Sequence, residues 1–231
     1  MGIVDHFFFT FAPMLSITEE NYLKVLLQIA EESTSQQEAG TNQIASQLHV
    51  RPATATDMLK KLKEKGLVDY QKYGKISLTE QGRIHAIAVI RKHRLWETFL
   101  FDKLGFSWDE VHEVAEQLEH IKSEKLVERL DRYLGYPQFD PHGDAIPSAK
   151  GILVTEKRKT LAEATLGTKK KVNAVKDNSP EFLQYVSQLG IAIGNPVLVK
   201  NRFDFDGSME IEVDGKTATI SQKVAENIFI K

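Results

Sequence analysis

The chain has 231 residues, 42% of them hydrophobic, with a formal charge of −2 and no cysteine. That length suits two or three small domains, or one large one, around real cores, and the near-neutral total excludes a generally basic, sticky protein. The missing cysteines exclude disulfides, thiolate metal sites and cysteine nucleophiles, and fit a reducing cytoplasm.

In chain order, the first stretch, "MGIVDHFFFTFAPM", is apolar and aromatic. It has no basic start and carries Asp5, so it reads as neither a signal peptide nor a span. Met14 makes a natural start, with residues 1–13 a leader outside the fold. No run of about 18 apolar residues occurs anywhere, so no membrane segment or membrane partner is expected.

"ITEENYLKVLLQIAEE" predicts a helix capped by Thr18, with Tyr22, Val25, Leu26 and Ile29 as its apolar stripe. After the polar loop "STSQQEAG", Thr41 is expected to cap a short helix that buries Ile44, Ala45 and Leu48. "HVRP" is a turn, and Pro52 suits the first turn of the next helix, where its missing N–H costs little. That helix carries Ala55, Met58, Leu59 and Leu62 on one face and ends at Gly66. Two short strands, "LVDYQ" and "KISLT", flank a tip at Tyr73-Gly74-Lys75.

Helix, tight turn, helix and hairpin form the order of a winged helix-turn-helix. Its second helix enters the DNA major groove with its N-terminal end toward the base edges. Those residues are Arg51, Pro52, Ala53, Thr54, Thr56 and Asp57, with Arg51 the one strong bidentate donor to guanine. Lys60 on the same helix and Lys72 and Lys75 on the wing suit phosphates. Residues 41–75 hold seven Lys/Arg against three acids, which places the basic excess on the motif itself. The bland alternative is a winged helix used for protein contacts.

"QGRIHAIAVIRKHRLWETFLFDKLG" predicts a long helix from about Glu80, broken at Gly105, with Ile84, Ile87, Ala88, Arg91, Leu95, Phe99 and Leu100 as its stripe. His93 and Glu97, four apart, share a face. "SWDEVHEVAEQLEHI" opens with Ser107 and Glu110 as a capping box. On a helical wheel with His112 at zero, Glu116 falls near 40°, Glu119 near 340° and His120 near 80°. These four form a stripe beside the apolar one of Val114, Ala115, Leu118 and Ile121. A solvated face more often mixes lysines among its acids; this stripe has none. Imidazoles and carboxylates converging there suit a first-row divalent metal, the alternative being an ordinary exposed face. "His112-Glu113-Val-Ala-Glu116" also brushes the HExxH peptidase pattern, but Glu116 stands where the second histidine belongs, so a metallohydrolase is the weaker alternative.

"GYPQFDPHGDAIPSAKG" reads as a boundary, His142 within it as part of a turn rather than a ligand. Beyond it come a helix, "SPEFLQYVSQLG", and strands "PVLVKNRF", "SMEIEVDG", "KTATIS" and "ENIFIK", with Asp214-Gly215 a hairpin signal: a small barrel. The expected fold is mainly α with a small β domain. Residues 14–80 form a winged helix-turn-helix, 81–147 a helical domain with the candidate metal ligands, 148–169 a linker, and 170–231 a small barrel.

"TEENYLKVL", "IASQLHVRPATATDMLKKLKEKGLV", "LTEQGRIHAIAVIRKHRLWETFL", "WDEVHEVAEQLEH" and "DPHGDAIP" together resemble the diphtheria toxin repressor / manganese transport regulator family of metal-dependent transcriptional repressors. The resemblance is firm over residues 15 to about 147 and looser over 170–231, where "LGIAIGNPVLV" is similar to the FeoA-like form of SH3 barrel, expected as a support module. It implies that 81–147 is a helical dimerisation and metal-binding domain, that 170–231 is an SH3-like barrel, and that a homodimer binds a palindromic double-stranded DNA operator. It places a primary metal site on Asn21, Glu116, Glu119 and His120, an ancillary site on His93, Glu97 and His112, and a barrel ligand at Glu181. The family's iron-type members have cysteine at position 116 and its manganese-type members glutamate, so Mn²⁺ is expected, with Fe²⁺ the alternative and Zn²⁺ or Co²⁺ as surrogates. Family members place Met or Asp at position 21, where Asn21 offers a neutral amide oxygen. Lys24 stands where manganese-type members have a second acid. A metal-independent winged-helix regulator is the rival function.

Overall fold

The computed structural model describes residues 15–32, 39–70, 75–154 and 157–231; the leader, the polar loop at 33–38 and the wing residues Lys72, Tyr73 and Gly74 lie outside them. The chain forms two compact units, one up to Ala86 and one from Ile87 to Lys231.

In the first unit, α1 (Ile17–Glu32) is followed by β1 (Ala39–Gly40), α2 (Thr41–Gln47), α3 (Pro52–Glu64), β2 (Val68–Tyr70) and β3 (Lys75–Leu78). The strands make an antiparallel sheet in the order β1-β3-β2. Tyr22, Leu23, Leu27, Ile29, Ile44, Leu59 and Leu62 are fully buried in this unit, each worth about 1.5–3 kcal/mol against exposure. Two expected caps differ. Ser16, not Thr18, starts α1: its backbone N and Oγ both donate to Glu19 Oε2 (2.9 and 3.2 Å), and Glu19 N donates back to Ser16 Oγ. α2 is preceded by Gly40, with Thr41 already helical and no side-chain cap. α3 starts at Pro52 as expected and closes at Gly66, whose φ of 70° a Cβ would strain.

α4 (Glu80–Leu104) is 25 residues long and ends before Gly105, which has φ 73°. Its buried side differs from the expected stripe. Ile84 and Ala88 are exposed, while Ala86, Ile87, Val89, Ile90, Leu95, Trp96 and Leu100 are buried together with His93, Glu97 and Thr98. Charged groups thus sit inside the apolar face. α5 (Val111–Leu118) and α6 (Glu124–Tyr133) follow, and Leu95, Trp96, Leu100, Val111, Ala115 and Leu130 form their core with α4. The Ser107–Glu110 box is present (Ser107 N and Oγ to Glu110 Oε2, 2.9 and 2.6 Å), but it closes a turn and α5 begins only at Val111. Glu119 and His120 therefore lie just past the helix end.

The rest of this unit is a six-stranded antiparallel sheet, β4-β9-β5-β6-β7-β8, built from β4 (Lys159–Thr160), β5 (Lys169–Val175), β6 (Pro196–Arg202), β7 (Met209–Val213), β8 (Lys216–Ile220) and β9 (Ile228–Ile230), with α7 (Pro180–Gln188) and α8 (Gln222–Glu226). β4 falls inside the stretch expected to be linker, paired with β9. Asp214 and Gly215 turn β7 into β8 with φ of 48° and 76°, as the dipeptide suggests. Trp108, from the turn before α5, is buried in the barrel core, and its Nε1 donates to Ser187 Oγ at 2.8 Å. Residues 138–147, expected to be a boundary, are a packed strap. Arg91 Nη1 donates to Pro147 O, Arg94 Nη1 to Ala145 O, and Val175 N to His142 O.

Candidate metal centre

His93 and Glu97 stand one turn apart on α4, and Glu97 is only 1% exposed. The third donor comes from α5. His93 Nε2 lies 2.9 Å from Glu97 Oε1 and 3.1 Å from His112 Nδ1, and His112 Nδ1 lies 3.2 Å from the same Glu97 oxygen. Two ring nitrogens and one carboxylate oxygen thus make a near-equilateral triangle. Adjacent donors around a six-coordinate ion with bonds of about 2.1 Å sit about 3.0 Å apart. The three side chains already pair with one another, and the same spacing matches the donor set of a divalent cation.

The sets expected as separate sites are joined. His93 Nδ1 approaches Glu119 Oε2 at 2.5 Å, and Glu119 is 0% exposed. His120 Nε2 lies 3.6 Å from Glu119 Oε1, and half-exposed Glu116 reaches His112 Nε2 with Oε1 at 3.6 Å. Glu116, Glu119, His120, His93, Glu97 and His112 therefore form one chain of contacts. Asn21 belongs to the other unit; its Oδ1 is buried and accepts no hydrogen bond, a free oxygen donor. Glu181 is exposed in the first turn of α7 and belongs to neither potential metal grouping among the described residues. Glu113, the base a metallohydrolase requires, is likewise exposed and outside both.

The second grouping is Glu97, Asp140 and His142, whose donor atoms lie within 4.8 Å of one another. The turn reading of "DPHGD" missed it. His142 is 0% exposed, and its Nε2 lies 2.8 Å from Trp108 O, which can only accept. Nε2 therefore carries a hydrogen, and Nδ1 faces Glu97 Oε2 at 3.6 Å with no hydrogen bond. A neutral ring would point a lone pair at a carboxylate, so a proton or a cation must fill that gap. Burial lowers the basicity of His142, but Glu97 and Asp140 outweigh it and raise its pKa to about 9. Asp140 is pushed up to about 8 by burial, then by repulsion from Glu97 and Asp144, with Arg94 opposing. Its Oδ1 accepts from the backbone N–H of His142 and of Asp144, both at 2.9 Å. Burial alone would raise the Glu97 carboxyl; the charge of His93 and the imidazoles of His112, His142 and His93 that face it hold it well below the usual range. The signal present in the sequence was the Asp140-x-His142 spacing, hidden by its Pro and Gly neighbours.

In the first unit, Arg51, Pro52, Ala53, Thr54, Asp57 and Lys60 are exposed along α3. Thr56 is half-buried, and its hydroxyl donates to Pro52 O at 2.9 Å, so its methyl is the group left for a base. Asp57 is paired with Lys60 at 3.6 Å, Lys75 is half-buried, and Lys72 is outside the described residues.

A profile described as "Iron dependent repressor, N-terminal DNA binding domain" matches residues 14–76, one described as "Iron dependent repressor, metal binding and dimerisation domain" matches 79–148, and a FeoA domain profile matches 159–231. A solved manganese-dependent transcriptional repressor in complex with manganese is 39% identical, with 92% of this chain and 98% of that one covered and a TM-score of 0.82. This chain belongs to the iron-dependent repressor family. Within that family it is also similar to the diphtheria toxin repressor of Corynebacterium diphtheriae (27% identical, 93% of this chain and 96% of that one). The iron-dependent repressor IdeR of Mycobacterium bovis is 37% identical over 130 residues, a match that spans 56% of this chain and about half (55%) of that protein.

Proposed function

We propose that this chain is a metal-dependent transcriptional repressor of metal-uptake genes, acting in the cytoplasm as a homodimer on a palindromic operator. The observation that carries this is a buried, sulfur-free set of imidazole and carboxylate donors, in a chain whose other unit exposes a basic recognition helix. Mn²⁺ is the effector that suits these hard donors, Fe²⁺ the next. His93, Glu97 and His112 would hold one ion. Glu116, Glu119 and His120 would hold another together with Asn21, whose unpaired amide oxygen suits that role. Asp140 and His142 extend the first set. Glu181 would join through the barrel, which otherwise supports the strap. Bound metal supplies positive charge that relieves the repulsion between neighbouring carboxylates.

An ion that took donors from both α1 and α4–α5 would tie the reading unit to the dimer core. A fixed dimer presents its two α3 helices about 34 Å apart, one turn of DNA. Operator affinity rises only as far as the metal prefers the DNA-competent state. A mobility shift with Mn²⁺, anaerobic Fe²⁺, Zn²⁺ and chelator in parallel, on DNA upstream of metal-uptake genes, tests this. Binding should appear with Mn²⁺ and vanish with chelator. Equal binding in both would favour the metal-independent regulator.

A further inference from the structure

α1 has two working faces. Asn21 lies two residues after Glu19, roughly 200° around the helix, so the two side chains leave α1 on nearly opposite sides. Glu19 points to the recognition helix. Its Oε1 accepts from Lys65 Nζ at 2.5 Å, while its Oε2 holds Ser16 at the start of α1. Lys65 caps the C-terminal end of α3, with Gly66 turning the chain away. The Glu19 side chain is 9% exposed and that of Lys65 35%. A fully exposed pair adds little; here one partner is sheltered and clamped by three donors, so the geometry is fixed. α1 otherwise packs chiefly on α2 and β3.

We propose that the Glu19–Lys65 ion pair is the positioning link through which a cation held by α1 sets the pose of the recognition helix α3. This rests on the proposed metal-dependent function. The lever is long: α3 has 13 residues, and its base-reading end, Arg51 to Thr54, lies opposite Lys65. A tilt of about 10° at the Lys65 end swings the far end of a helix about 20 Å long by about 3 Å, the rise of one base step. Holding that end is therefore enough to keep or lose register.

The test uses the full-length chain and a duplex selected from a randomised pool by the Mn²⁺-loaded protein. Mn²⁺ binding is followed by electron paramagnetic resonance and DNA affinity by fluorescence anisotropy, each with and without Mn²⁺. In Glu19→Gln, which keeps the lysine charge, and in Lys65→Met, Mn²⁺ binding should match the unmodified protein. The Mn²⁺-induced gain in DNA affinity should fall by about fivefold or more, with the weak metal-free affinity unchanged in Glu19→Gln. Lys65→Arg, which keeps the ion pair and leaves the Ser16–Glu19 cap intact, should retain most of the gain. Full gain in Glu19→Gln, lost Mn²⁺ binding in it, or loss of the gain in Lys65→Arg overturns the proposal. A wild-type chain that gains nothing from Mn²⁺ fails earlier and overturns the proposed function itself.

Discussion

The lysines of α3 and the imidazoles of α4 and α5 hold their charges under opposite solvation. Lys60, Lys61 and Lys63 stand in water, where keeping a charge is free and its pull on DNA phosphates is screened by salt. Glu97, Glu119 and His142 are buried, and each depends on its neighbours. The first arrangement waits for a polyanion without affecting the fold. The second is part of the fold, so whatever occupies it is felt as stability. A family of metal-controlled DNA readers needs both kinds of site.

The sharpest break of this contrast is Glu97→Ala. It leaves His93, His112 and His142 without their common carboxylate and should cost about 3–5 kcal/mol in the metal-free protein, read by urea denaturation at pH 7. It should also abolish the Mn²⁺ response. A loss below about 1 kcal/mol would mean the cluster is solvated and the contrast false. Next in size is the strap that carries Asp140 and His142. Gly143 has φ 85°, and a Cβ there would lie 2.1 Å from Asn173 O. Gly143→Ala should therefore cost about 2–4 kcal/mol, measured in the same way, with Mn²⁺ restoring part of it.

Helices α1 to α5 and α7 and most barrel strands were legible because period 3.6 and period 2 are strong where elements are long, whereas α6 and the short α8 were not read. Short-range chemistry was less so. Ser16 capped α1 instead of Thr18 because Glu19 answers it three residues on. His93, Glu97 and His112 were legible as a group through the resemblance and the four-residue spacing on α4. The burial of that group was not: the expected stripe of α4 put Ile84 inward and left the charged pair out, whereas the helix turns the pair into the core. Asp140 and His142 were hidden because Pro141 and Gly143 mark a turn locally. Only the tertiary approach of the strap to α4 and Trp108 shows what that turn delivers.

Titration gives a smaller effect with a definite sign. His142, with a pKa of about 9 against the usual 6.5, stabilises the fold fully below 6.5, and that support fades as pH rises through 9. Asp140, raised to about 8, stays neutral in the fold where the unfolded chain would ionise, so it costs stability as pH climbs toward 8. Between pH 7 and 9 both act downward, while the lowered Glu97 is already ionised. The metal-free protein should lose about 1–3 kcal/mol over that window, and His142→Asn should flatten the curve. Mn²⁺ binding at this grouping displaces the His142 proton and should tighten over the same range. A Tm that rises from pH 7 to 9 would contradict the assignment.

The smallest effect lies on the exposed side. Lys60→Ala should leave the Tm and Mn²⁺ affinity unchanged and lower the slope of log affinity against log salt by about 1. A stability loss comparable to that of Glu97→Ala would erase the distinction between the two regions.

The claim beneath all of this is that the buried donors of α4 and α5 hold a divalent cation. Anomalous diffraction at the manganese edge, from crystals of the full chain grown with Mn²⁺, measures it directly. A peak within bonding distance of Glu97 and the rings of His93 and His112 is the predicted result. A map with no peak among these side chains, from protein whose DNA binding still responds to Mn²⁺, would contradict it.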